Sequence, residues 1–145
     1  AASSVSFALT LEQIPALVSS VMVSFGGHYG ASGFMLLSVV IMIAFGAILE
    51  GAPALIIFGP LLTPIAQQLG INPLHFGTVA VVAMGLGLFA PPVGLGLFAT
   101  CAITGTRVER VARPMLKYLA VLAVVLVLLV LVPGFSLWLP SRFGM

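Results

Sequence analysis

Apolar residues run along this chain in long blocks that charged residues almost never interrupt. Between Glu12 and Glu50 there is no Asp, Glu, Lys or Arg. A second charge-free stretch runs from Glu50 to Arg107 and a third from Lys117 to Arg142. Each is long enough to hold a membrane span of roughly 20 residues. After a short tail of one helix near Val5 and Leu9, the positions Leu11, Ile14, Leu17, Val18, Val21 and Met22 recur at helical spacing. They predict an amphipathic helix over about 11–24, suited to the interface or to bracing neighbouring helices. Gly26-Gly27-His28-Tyr29-Gly30 reads as a flexible turn. Residues 31–49 then predict an apolar helix of roughly 28 Å. It stops at Glu50-Gly51-Ala52-Pro53, where Pro53 suits the first turn of a new helix because its missing N–H has no partner there anyway. A second apolar run, 54–66, ends at Gln67-Gln68-Leu69-Gly70. Two helices with so short a link form a helical hairpin over 31–69.

The next stretch, 75–104, predicts a helix broken in its middle. Gly85-Leu86-Gly87-Leu88-Phe89-Ala90 precedes Pro91-Pro92-Val93, and Gly94-Leu95-Gly96-Leu97-Phe98-Ala99 repeats the same six residues after it. Each proline removes a helix donor and clashes with the preceding turn. Each also disfavours helix in the residue before it, and the nearby glycines weaken the helix further. The break is therefore expected at about 90–94. Irregular backbone at membrane depth is tolerated only where protein or a polar cavity satisfies it.

Residues 106–117 form a polar island, read as a basic loop carrying Arg107, Arg110, Arg113 and Lys117. A last span follows over 118–139, with Tyr118 and Trp138 about 30 Å apart as interfacial aromatics. Short loops rich in Lys and Arg stay cytoplasmic. That rule places this loop inside and the Trp138–Met145 tail outside.

Composition turns this pattern into a class. Of 145 residues, 61% are hydrophobic and 6% are charged, against about 25% charged in a soluble domain. The fold class is an all-α membrane protein: a multi-span helical bundle with a hairpin and a Pro-broken transmembrane helix. Soluble enzymes, nucleic-acid binders and disulfide scaffolds are excluded. The chain starts Ala1-Ala2-Ser3-Ser4, with neither Met nor a signal-peptide pattern, and reads as a single domain, a C-terminal fragment of something longer. The lone Cys101 reads as an apolar packing residue. His28 and His75 read as interface or loop residues. Without H-E-x-x-H, C-x-x-C, a P-loop or a Ser/His/Asp set, no enzymatic activity and no cofactor is expected.

The chemistry left to such a chain lies in Glu50 and in the broken backbone. Glu50 stands at the hairpin tip, either lining a polar cavity or meeting water at the interface. The break frees carbonyls near Leu86 to Ala90, which suit a cation such as Na⁺. It frees amides near Val93 to Gly96, which suit a carboxylate. Half-helix ends at mid-membrane are the pattern of secondary transporters.

These residues resemble one family. Glu50, Pro60, Leu62, Pro64, Leu69 to Ile71, Pro73, His75 to Gly77, Gly87 and Pro91 to Gly94 match the spacing found in the C-terminal part of the large membrane subunit of tripartite ATP-independent periplasmic (TRAP) transporters. The Leu-Val-Pro-x-x-Ser-Leu-Trp-Leu-Pro segment at 131–140 is similar to the family's end. The resemblance implies an elevator-type carrier, driven by Na⁺, that brings small organic acids through the bacterial inner membrane. It implies two inverted repeats, of which this chain would be the second. It also implies two protein partners, a small membrane subunit and a periplasmic substrate-binding protein. The expected ion and substrate residues are Glu50, Gly51, Ala52 and Pro53 at the tip, and Gly87, Ala90, Pro91, Pro92, Val93 and Gly94 at the break. Na⁺ would meet the backbone near Leu88, Phe89 and Ala90. Ala90 stands where the family usually has Thr and Gly96 where Asn is common, leaving more of the cation binding to carbonyls. The alternatives to this reading are another re-entrant-hairpin carrier or channel, and a non-transporting assembly subunit.

Overall fold

A computed structural model describes residues 14–49, 51–91 and 93–143. All regular structure among them is helical: α1 (Ile14–Leu49), α2 (Gly51–Gln68), α3 (Pro73–Leu88), α4 (Leu95–Thr104), α5 (Val108–Leu131) and α6 (Gly134–Arg142). The result is an all-α bundle with a hairpin, α1–α2, and a broken helix, α3–α4. Two described helices, 27–49 and 108–131, are long and apolar enough to cross a bilayer.

The core is a three-helix packing of α1, α2 and α3. α2 buries Ala54, Phe58, Leu62 and Ala66, one residue per turn, as the i, i+4 spacing of a single helix face requires. α1 contributes Phe34, Met35, Val39, Met42 and Leu49, and α3 contributes Phe76, Val79, Ala80, Ala83 and Met84. Phe45 of α1 packs tilted against Phe58 of α2 with ring centroids 4.4 Å apart, and Phe34 meets Phe76 of α3 at 6.0 Å. α5 joins this core through Leu119, Leu126 and Val130, with Met115, Ala123 and Leu129 partly buried against it, and leaves its far side exposed.

Tight turns return the chain between helices. Gly70 takes φ 75° after α2, its amide donates to Gln67 and the Ile71 amide donates to Ala66. These two bonds close the last carbonyls of α2 in a Schellman motif. Two residues later the Asn72 side chain caps α3 by accepting from the Leu74 amide at 2.9 Å, with Pro73 at the start of the helix.

The structure differs from the sequence expectations at several element boundaries. The turn expected at 26–30 is helical up to Tyr29, and only Gly30 leaves helical geometry, at φ 68° and ψ −164°. Gly26 and Gly27 cost the helix stability without ending it, so the two expected helices meet across a kink at Gly30 alone rather than through a five-residue turn. Residues 108–117, read as loop, are the opening turns of α5. Arg, Glu and Lys are good helix formers, and Glu109 in the first turn complements the helix dipole. The last span ends at Leu131, because Pro133 forbids the next turn and biases Val132 away from helix. Trp138 consequently lies on α6, and Tyr118 and Trp138 do not bracket one helix. Residues 11–13 of the expected amphipathic helix lie outside the described residues.

Candidate functional site

The hairpin tip and the helix break are held at one end of the three-helix core by contacts between backbones. α1 and α3 cross at Gly46 and Gly87. A Cβ placed on Gly46 would stand 2.9 Å from the Met84 carbonyl oxygen. One placed on Gly87 would overlap the Ile43 carbonyl and stand 3.0 Å from the Ala47 nitrogen. No larger residue allows this approach without moving a helix. The crossing lies within about one helical turn of both Leu49, where α1 ends, and Leu88, where α3 ends. Gly51, the first residue of α2, faces Met84, with 3.8 Å between its would-be Cβ and the Met84 Cβ.

Of the tip residues, Gly51 and Pro53 are half-buried, Ala52 is exposed, and Glu50 lies outside the described residues. At the break the chain is non-helical from Phe89 to Gly94, with Pro92 outside the described residues. Ala90 and Pro91 are half-buried, Val93 is exposed and Gly94 is buried. Gly94 folds back over the end of α3, where a Cβ would meet the Leu88 carbonyl at 2.6 Å and the Ala90 nitrogen at 2.8 Å. Gly96 is nearly as confined, with Leu88 Cγ and Phe89 Cε1 both 3.0 Å from a would-be Cβ. Steric room thus accounts for a glycine at position 96.

The hydrogen bonds sort the polar backbone of the break. The Ala90 amide donates to the Gly87 carbonyl at 3.0 Å, and the Gly94 amide donates to the Ala90 carbonyl at 2.8 Å. The Ala90 carbonyl therefore keeps one lone pair for another donor or a cation. Gly94 is the N-cap of α4 and offers no side-chain cap, so the amides of Leu95 and Gly96 head a helix N-terminus of the kind that attracts anions. Sequence reasoning placed the free amides at Val93 to Gly96; the Gly94 amide turns inward instead.

α4 carries the chain roughly 15 Å from the break to the basic cluster. Arg107 is the N-cap of α5, and Arg110, Arg113 and Lys117 are exposed on its first turns. The three arginines line an open cleft of about 1130 Å³ beside Cys101 and Thr106. Cys101 itself is buried.

At the other end of the core, a contact that sequence reasoning missed joins α3 to α6. His75, expected in a loop or at an interface, is 3% exposed. Its Nδ1 lies 2.6 Å from Ser136 Oγ, and that hydroxyl donates to the Pro133 carbonyl at 3.0 Å. With the hydroxyl proton directed at Pro133, the ring Nδ1–H is the donor to Oγ. His75, Asn72 and Ser32 are the polar lining of a cavity of about 280 Å³ between α1, α3, α5 and α6. His28 is exposed beside Tyr29 on α1.

Sequence comparison now bears on this geometry. The family described as "Tripartite ATP-independent periplasmic transporter, DctM component" matches residues 1–135. The chain belongs to this family. It is 38% identical over 139 residues to the C4-dicarboxylate TRAP transporter large permease protein DctM of Pseudomonas aeruginosa, covering 94% of this chain and 32% of that protein. It is 28% identical over 129 residues to the isethionate TRAP transporter permease protein DctMQ of Oleidesulfovibrio alaskensis, covering 89% of this chain and 20% of that protein. It is 28% identical over 109 residues to the sialic acid TRAP transporter large permease protein SiaM of Vibrio cholerae, covering 75% and 26%. The chain thus spans about a third or less of the length of these relatives. No solved structure matches it.

Proposed function

We propose that this chain is the C-terminal portion of a TRAP transporter large permease, working in the bacterial inner membrane to import small organic acids. The observation that carries the reading is the backbone crossing at Gly46 and Gly87, which holds the hairpin tip and the Pro-Pro break at one end of the core. A cation such as Na⁺ would be held by carbonyls at the end of α3, the second lone pair of Ala90 among them. The substrate carboxylate would face the uncapped amides of Leu95 and Gly96. Glu50 would organise the hairpin turn. The substrate would come from a periplasmic binding protein, and a small membrane subunit would complete the permease. Because the relatives are named for a C4-dicarboxylate, isethionate and sialic acid, the shared element is an anionic acid group rather than one carbon skeleton. The full-length elevator would carry a second, inverted copy of this arrangement.

The test is uptake of a labelled C4-dicarboxylate into liposomes holding the full-length permease with its small subunit. We expect uptake only with both the binding protein and an inward Na⁺ gradient. Uptake without the binding protein would instead support a stand-alone re-entrant-hairpin carrier.

A further inference from the structure

The outer face of α5 carries two kinds of residue, one after the other along the helix. At about 3.6 residues per turn, Arg110, Arg113 and Lys117 fall on the same side as Val121, Val124 and Leu128. Leu119, Leu126 and Val130, which meet the core, fall on the opposite side. All six outer residues are exposed, Val121 and Val124 by more than half. The face is cationic over roughly 10 Å, from Arg110 to Lys117, and aliphatic over roughly 15 Å, from Val121 to Leu131. The aliphatic part matches one leaflet, half of a hydrocarbon core of about 30 Å.

The cationic part opens into the cleft between α4 and α5, where Phe98, Cys101 and Ala102 of α4 line the same space as Arg107, Arg110 and Arg113. Glu109 is the one acid in that lining, against three guanidinium groups, so the cleft favours an anion. Among the described residues, the side chains of Arg107, Arg110, Arg113 and Lys117 make no ion pair and no hydrogen bond. Guanidinium groups offer phosphate oxygens two parallel N–H donors.

The order of the two parts selects the occupant. A free anion or an acidic soluble segment meets the cations and leaves the aliphatic row bare. A zwitterionic lipid covers the row and brings no net charge to the cations. An anionic phospholipid supplies both, with its phosphate at the cleft and an acyl chain along Val121, Val124 and Leu128. α5 is long and apolar enough to cross a bilayer, and its charged end then lies at the depth of the headgroups.

We propose that the cleft between α4 and α5 binds the headgroup of an anionic phospholipid, with one acyl chain lying on the aliphatic face of α5. The inference rests on the membrane placement of α5 and is independent of the transport reading.

The test uses the full-length permease with its small subunit, reconstituted in bilayers. A fluorophore on Val124→Cys, in a background without other reactive cysteines, is quenched by lipid chains that carry bromine. Brominated phosphatidylglycerol is diluted into unbrominated phosphatidylcholine, and the bromine is then moved to the other lipid. With the arginines intact, we expect phosphatidylglycerol to be favoured at position 124 by at least about fivefold, the effect of one cation near an anionic headgroup. Arg107→Gln, Arg110→Gln and Arg113→Gln together should abolish the preference, and lysine at the same three positions should keep it. Inorganic phosphate at constant ionic strength should leave the quenching unchanged, since it offers nothing to the aliphatic face. Equal quenching by the two lipids with the arginines intact would overturn the proposal, whatever the variants do. Quenching by neither lipid would mean that protein covers the face, and displacement by inorganic phosphate would make the cleft a free-anion site. Each of these results contradicts the proposal, as does a preference that survives the glutamine substitutions.

Discussion

At the scale of single residues, the candidate site depends on side chains that are absent. Gly87 and Gly94 occupy positions where a Cβ would run into backbone, and backbone cannot rotate aside as a long side chain can. Gly87→Ala should force α1 and α3 apart, and Gly94→Ala should push the break away from the end of α3. Each is expected to cost roughly 1–3 kcal/mol in stability and to lower uptake by the assembled permease, read from thermal unfolding in detergent and from transport rates. Gly85→Ala is the control, since a Cβ there meets nothing within 4 Å; equal losses at 85 and 87 would contradict the argument. The glycine-rich text around the prolines was visible in the sequence. Which glycines are sterically required was not, because for Gly87 it depends on α1 atoms about 40 residues away in the chain and for Gly94 on how the break folds back over Leu88 and Ala90.

At the scale of elements, the hairpin and the Pro-broken helix were legible because proline acts on its own neighbours and needs no tertiary context. The same logic applied at Val132-Pro133 marks the end of α5, although hydropathy alone carries straight on to Trp138. Hydropathy misled again at 108–117, where charge suggested a loop and helix propensity decided for a helix. The link between α3 and α6 had no sequence signal at all: His75 and Ser136 are 61 residues apart. It fixes a short helix of nine residues that has few other anchors. His75→Ala leaves Ser136 Oγ without its ring donor, at a cost of about 1–3 kcal/mol. Hydrogen exchange should read this as faster exchange confined to α6 and the adjoining end of α5, by roughly tenfold or more. Exchange unchanged in α6 would mean that the contact does not hold the helix.

At the scale of the whole molecule, the account joins two places that the sequence keeps about 40 residues apart, the tip at 49–53 and the break at 89–94. Composition supplied the class, and the charge gaps supplied candidate spans. The convergence itself came from helix packing, through a crossing close enough to need glycine on both sides. This portion would contribute one set of half-helix ends to a site shared with the rest of the permease, since the relatives are about three times its length. The most direct measurement replaces Pro91-Pro92 with Ala-Ala in the full-length permease. It then compares uptake under an inward Na⁺ gradient with the amount inserted in the membrane. Restored helix donors would close the carbonyls of α3 and remove the free N-terminus of α4. The account predicts normal insertion with uptake abolished. Wild-type uptake by the Ala-Ala permease would contradict it.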